Sequence, residues 1–171
     1  PCYHKLLIIS DVAVIPLPDF KQKMVQIGYL ARTANLLGIA TPKIACIAPS
    51  EQLLPNVISS TEGALLAKMA DRGQLGNVVV DGPLSLDVAL YKEVAEHKKV
   101  KGSSVAGDPD CLLFPNLESA NVFFKSVSHL CGGELAAMVM GTKVPCVLTS
   151  RGDTSKTKLF SIALACLAVK K

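Results

Sequence analysis

The chain of 171 residues is long enough for one domain with its own core, or for one complete lobe of something larger. Half of its residues are apolar and the mean hydropathy is +0.39, so either most strands are buried on both faces or an apolar surface expects a partner. The formal charge of +4 comes from 15 Lys and three Arg spread along the chain with no basic block and only 5% aromatic residues, which argues against nucleic acid as a partner.

Taken in chain order, the apolar run from Leu6 to Ile9 reads as a short buried strand, and Asp11 to Pro18 as a second extended piece closed by prolines. Asp19 then caps a helix to about Leu37, because Met24, Ile27, Leu30, Ala31 and Ala34 recur at helical spacing; Gly38 stops it. A strand from Lys43 to Ala48 precedes a polar loop from Pro49 to Ser60, and a helix starts at Thr61 and Glu62 and ends at Gly73. Val78 to Val80 is a strand running into Asp81-Gly82-Pro83, and a helix follows from Ser85 to His97, with Ser85 as its cap. Cys111 to Phe114 is a strand, and Leu117 to Leu130 a helix. Strands are expected at Ala136 to Met140 and Cys146 to Leu148, and a last, almost wholly apolar helix from Asp153 to Val169. Short apolar strands alternating with longer helices predict a three-layer α/β/α arrangement on a mostly parallel sheet.

The six cysteines lie far apart without any Cys-x-x-Cys pair and read as buried thiols of a reducing cytoplasm. No segment has the eighteen or so apolar residues that a membrane span needs, and the first residues lack the apolar core of a secretory signal. Both glycine-rich nucleotide loops, Gly-x-Gly-x-x-Gly and Gly-x-x-x-x-Gly-Lys-Ser/Thr, are missing, and the three histidines follow no triad or metal spacing.

In an open parallel sheet, ligands gather beyond the carboxyl ends of the strands. Four places therefore carry the candidates. Asp81 follows Val80, where it either starts a turn or points a carboxylate into a cleft. Asn116 follows Pro115 as a helix cap, while Asn121 and Lys125, four residues apart on one helical face, can address one ligand together. Asp108 and Asp110 have the chemistry of a divalent-cation site, but an Asp-Pro-Asp turn explains them better, so no metal is assigned. Arg151, with Ser150 beside it and helix N–H groups ahead, is placed at a strand-to-helix junction suited to a phosphate, which a guanidinium grips with two parallel hydrogen bonds. The alternatives there are a surface pair between Arg151 and Asp153 and, through Arg151-Gly152-Asp153, an adhesion loop, but the apolar flanks are unlike those of a freely displayed loop.

Together, Asp81-Gly82-x-Leu84-x-x-Asp87, Val105-Ala106-Gly107, Pro115-Asn116-Leu117-Glu118-Ser119-Ala120-Asn121 and Lys143-Val144-Pro145 leading to Ser150-Arg151-Gly152 resemble the phosphate acetyltransferase and phosphate butyryltransferase family over almost the whole chain. The segments DGPLSLDVAL, AEHK and LTSRGD are closer to the butyryl branch. The resemblance implies the reversible reaction of a short-chain acyl-CoA with phosphate to give acyl phosphate and CoA, with no metal or redox cofactor, in a cytoplasmic homodimer whose cleft lies between two lobes of a fold like that of isocitrate and isopropylmalate dehydrogenases. It assigns Ser150 to the oxyanion and Arg151 to the phosphate, while Asp81, Asn116, Asn121 and Lys125, from their places beyond the strands, are the candidates for the substrate site.

The acetyl branch has an aspartate six residues past the arginine, where this chain has Thr157, so Asp153 is the candidate base. Ala120 stands where the family commonly has glycine. Family chains are about twice as long. By that measure residues 1–149 are the second lobe, and residues 150–171 a helix expected to pack on a first lobe. A non-catalytic piece that binds CoA or phosphate is the competing reading. The dehydrogenase chemistry of that fold would need a cluster of metal-binding aspartates and a cofactor loop that the sequence does not assemble.

Overall fold

The computed structural model describes residues 3–169, which divide into two compact units, one running to Phe123 and one beginning at Phe124. In the first unit, β1 (Ile8–Ser10), β2 (Lys43–Ile47), β3 (Val79–Leu84) and β4 (Cys111–Leu113) form one sheet in the order β1-β4-β2-β3, with every pairing parallel. The chain passes through α1 (Phe20–Leu36), α2 (Ile58–Asp71), α3 (Leu86–Leu90) and α4 (Lys92–His97) between strands, and enters α5 (Leu117–His129) after β4.

Successive residues of a strand face opposite ways, and the two cores follow that alternation. Ile44, Cys46, Cys111 and Leu113 pack with Ile27, Leu30 and Ala34 of α1 and Leu66 of α2. Ala45, Ile47 and Leu112 pack with Val88, Ala89, Ala95 and Ala120 from α3, α4 and α5. The central strands are thus buried on both faces, which is why they read as unbroken apolar runs, and the unit is the α/β layered structure expected.

At the amino edge of the sheet, Asp110 accepts the Lys43 N–H at 2.8 Å and pairs with Lys5 at 2.7 Å. Asp108 receives Lys43 at 2.7 Å, Lys5 at 2.8 Å and His4 at 2.9 Å. These two carboxylates tie the starts of β1, β2 and β4 together.

Several boundaries differ from expectation, each for a local reason. Asp19 and Gln22 form a reciprocal capping box at 2.8 Å, so α1 starts as foreseen, and Gly38 at φ +87° ends it. Helix α2 begins at Ile58 rather than Thr61, because buried Ser60 accepts the Leu54 N–H and donates to the Gln52 carbonyl, anchoring the preceding loop from inside the helix. The helix expected from Ser85 to His97 breaks at Tyr91, whose backbone is extended. Gly107 causes the break: its N–H takes the Ala89 carbonyl at 2.9 Å, and a Cβ on it would lie 2.6 Å from the Lys92 Cα.

In the second unit, α6 (Ser155–Leu167) is capped by Thr154, whose hydroxyl accepts the Thr157 N–H at 3.1 Å. The strands expected at 136–140 and 146–148 do not form. A single antiparallel bridge joins Val139 and Cys146, and with no further rung among the described residues the segment stays irregular. Buried Ser161 accepts the Ala137 N–H at 2.9 Å and so ties this segment to α6.

The cysteines are less uniform than their sequence settings imply. Burial pushes the thiols of Cys46 and Cys111 up to about 12, but Cys131 and Cys166 are exposed and Cys146 is half-buried. Cys131 lies just after α5, Cys146 in irregular chain and Cys166 on an exposed side of the last helix; Cys2 lies outside the described residues.

Candidate functional site

The carboxyl edge of the first unit is built from the loops that leave its strands. After β1, the Asp11 carboxylate accepts the N–H groups of Ala13, Val14 and Ile15 at 2.9, 3.0 and 2.8 Å, so residues expected to be extended are curled into a tight loop. Asn121 donates through Nδ2 to the Val12 carbonyl at 2.9 Å, which fastens α5 to that loop. Asn116 caps α5 by accepting the Ser119 N–H at 2.9 Å.

Asp81 lies within β3 rather than beyond it. The register pairs Ala45 with Asp81 and then Ile47 with Leu84, so Gly82-Pro83 is absorbed as a bulge opposite Cys46. Proline is tolerated there because β3 is an edge strand. The Asp81 carboxylate accepts the N–H of Gly82 at 2.8 Å. A Cβ on Gly82 would stand 2.6 Å from the Cys46 Cβ, and one on Gly63 of α2 would stand 3.3 Å from the same atom, so helix and sheet approach closely here because both glycines are bare.

Two groups of charged residues at this edge went unrecognised in the sequence. Lys23 of α1 is buried and pairs with Glu62 of α2. With Cys46, Ile47, Leu113 and Phe114 they line a cavity of about 10 Å³, room for about one water molecule. The second group joins the loop after β2 to the start of α3. Lys98 reaches Asp87 at 3.0 Å, Ser85 at 3.3 Å and Glu51 at 3.5 Å, while Ser85 donates to Glu51 at 3.2 Å. The Ser85 hydroxyl and the Lys98 ammonium beside it outweigh burial and bring the Asp87 carboxyl down to about 2. Ser85 makes no capping hydrogen bond to α3, contrary to the role expected of it, because its hydroxyl is drawn to these side chains. Lys98 sits in a charged run that reads as a solvated helix end, and only the return of the chain brings its partners to it.

The second unit holds the other candidates. Asp153 accepts the Ser150 N–H at 2.7 Å and its own N–H donates to the Ser150 carbonyl at 3.1 Å, closing a turn just before α6. The Ser150 hydroxyl accepts the Gly152 N–H at 3.4 Å. Arg151 is exposed at the crest of this turn and makes no hydrogen bond or ion pair among the described residues; the pair with Asp153 does not form, and that carboxylate accepts the Ser150 N–H through one of its oxygens. The turn follows irregular chain rather than a strand, so the expected junction is one of loop and helix. Lys125 lies over the Phe124 ring at 5.0 Å. The structure thus groups Ser150, Arg151 and Asp153 on one turn, and places Asp81, Asn116 and Asn121 in the other unit.

Among the described residues no helix is long and apolar enough to cross a membrane, and no group of three His, Cys, Asp or Glu side chains is arranged to hold a metal ion. The family model described as phosphate acetyl/butaryl transferase matches residues 2–166. The chain is 42% identical over 165 residues to a phosphate butyryltransferase of Clostridium acetobutylicum, an alignment covering 96% of this chain and 54% of that protein. It is 40% identical over 165 residues to a phosphate acetyltransferase of Thermotoga maritima, covering 96% and 56%. Its backbone matches a branched-chain phosphotransacylase from Enterococcus faecalis V583 with a TM-score of 0.85 at 30% identity, over 93% of this chain and 56% of that one. The chain therefore spans about half the length of the curated relatives it matches.

Proposed function

Because the chain belongs to the phosphate acetyl/butaryl transferase family, we propose that its protein exchanges a short-chain acyl group between CoA and phosphate. In the direction of acyl-CoA synthesis, the CoA sulfur attacks the carbonyl carbon of an acyl phosphate, its proton passes to a base, and the C–O bond to the phosphate breaks. A thiol with pKa near 8.5 is only a few per cent ionised at pH 7, so proton removal costs about 2 kcal/mol unless a base assists.

The observation that carries this reading is the turn of Ser150, Arg151 and Asp153 in front of α6. Arg151 grips the phosphoryl oxygens with its planar fork, and Ser150 donates to the oxygen that gains charge during attack, a contribution of about 3 kcal/mol for one preorganised donor. Asp153 is the acidic group within the turn and serves as the base. Asp81, Asn116, Asn121 and Lys125 belong to the substrate side, with acetyl or butyryl as the transferred group. The substrates are acyl-CoA and phosphate, a reading supported by the family, with no further cofactor assigned; the enzyme works in the cytoplasm as a homodimer, with which the apolar content of the chain is compatible.

Residues 1–149 act as one lobe, and the segment 150–171, through α6, packs on another. In support, α6 turns Ser161 and Ala165 inward and leaves Leu159, Ile162 and Leu167 more than half exposed, the reverse of a helix that has found its full core.

The test is Arg151→Ala in the protein at its natural length. Acyl phosphate formation falls by about 10²–10³-fold, the loss that follows removal of a transition-state donor; near-normal turnover refutes the assignment. The span of about half the relatives' length also favours a second reading, a piece that binds CoA or phosphate without turnover. Calorimetry with CoA beside a thiol-release assay separates them, since binding without release supports only the second.

A further inference from the structure

We infer that Lys98 is a positioning residue for acyl-CoA, holding the loop after β2 and the start of α3 in one arrangement at the carboxyl edge of the sheet. The inference rests on the acyl-transfer reading above.

The loop between β2 and α2 has no secondary structure before Ile58 and needs ties from elsewhere. Ser60 supplies one, through Leu54 and Gln52. The other is Glu51, whose carboxylate is met by the Ser85 hydroxyl at 3.2 Å and by Lys98 at 3.5 Å. Ser85, nearly fully buried, forgoes the capping bond that its place before α3 offers, and Lys98 joins it to Asp87 as well. One ammonium thus connects segments around residues 51, 85 and 87 that leave two neighbouring strands, at the edge where parallel sheets take their ligands.

The arrangement is also electrostatic. Glu51 and Asp87 bring two carboxylates against one ammonium. Removing Lys98 frees the loop and leaves Glu51 and Asp87 without their shared counter-charge, which disfavours a polyanionic CoA ester at this edge.

The experiment compares Lys98→Met, Lys98→Arg and Glu51→Ala in the protein at its natural length, by steady-state kinetics and by amide hydrogen exchange across residues 49–57. Lys98→Met raises KM for acyl-CoA on the order of tenfold, leaves kcat within about twofold and speeds exchange in the loop, as loss of one partner of a part-buried ionic hydrogen bond implies. Lys98→Arg restores KM. An unchanged KM, or equal loss of kcat and folded protein without rescue by arginine, overturns the inference. Should Lys98→Met fail to fold, Glu51→Ala gives the same decision, since it removes the acceptor that ties the loop while keeping the ammonium: faster exchange with raised KM supports the inference and unchanged values overturn it. A wild-type protein without acyl transfer refutes the underlying reading, whereas an active wild type with unmoved KM in the variants refutes only the role of Lys98.

Discussion

Single residues at the two ends of the sheet make different kinds of demand. Asp108 is held well below the usual carboxylate range because hydrogen bonds from Lys43, Lys5 and His4 outweigh the burial that opposes them. Its folded pKa lies under the unfolded value of about 3.9, so its contribution to stability is present above that value and is lost as pH falls toward the folded one. With 45% of the side chain exposed, solvent screening limits the contribution to about 1 kcal/mol. Denaturant titrations should find Asp108→Asn less stable than the wild type at pH 7, with the two curves converging as pH drops below about 4. Gly82 makes a steric demand instead. Gly82→Ala places a methyl group 2.6 Å from the Cys46 Cβ and 3.1 Å from the Cys46 carbonyl oxygen, so the strand itself must shift, at about 1–3 kcal/mol. Cys46→Ala should not relieve this, since it keeps the offending Cβ; full recovery in the double variant would contradict the contact.

At the scale of elements, Asn116 separates a structural role from a chemical one. Its Oδ1 caps α5, so Asn116→Ala should cost about 1 kcal/mol in thermal or chemical denaturation, while Asn116→Asp, which still accepts the Ser119 N–H, should stay near wild-type stability. A loss of acyl transfer in Asn116→Asp with stability intact would assign the carboxamide to the substrate. The same scale explains what could be read in advance. Strands β2 and β4 and helices α1 and α5 were legible because burial on two faces gives unbroken apolar runs, and because Asp19 and Asn116 are caps whose partners are local. The break at Tyr91 was not legible, because Gly107, which causes it, lies sixteen residues further on. Nor was the missing pairing of residues 136–140, since apolar content is necessary for a strand but a ladder also needs a partner.

For the whole molecule, the family motifs exposed the candidate residues in advance, but not their surroundings. Ser150, Arg151 and Asp153 could be named from one short stretch, yet Asp153 proved to be the acceptor that shapes the turn, and the latch of Glu51, Ser85, Asp87 and Lys98 joins positions too far apart for any local pattern to reveal. The proposal that a further lobe covers α6 belongs to this scale, and it has a reciprocal consequence. Leu159 and Ile162 are exposed, at 62% and 55%, so placing a charge there removes little packing from the chain of 171 residues alone and reduces its tendency to associate through apolar surface. In the protein at its natural length the same side chains would be buried, and a glutamate at either would be desolvated without a partner. Leu159→Glu and Ile162→Glu should therefore leave the denaturation midpoint of the isolated chain nearly unchanged and lower that of the longer protein by an amount equivalent to about 2–4 kcal/mol. Equal, small effects in both would mean that α6 faces water in the longer protein too, and the proposed packing would fall.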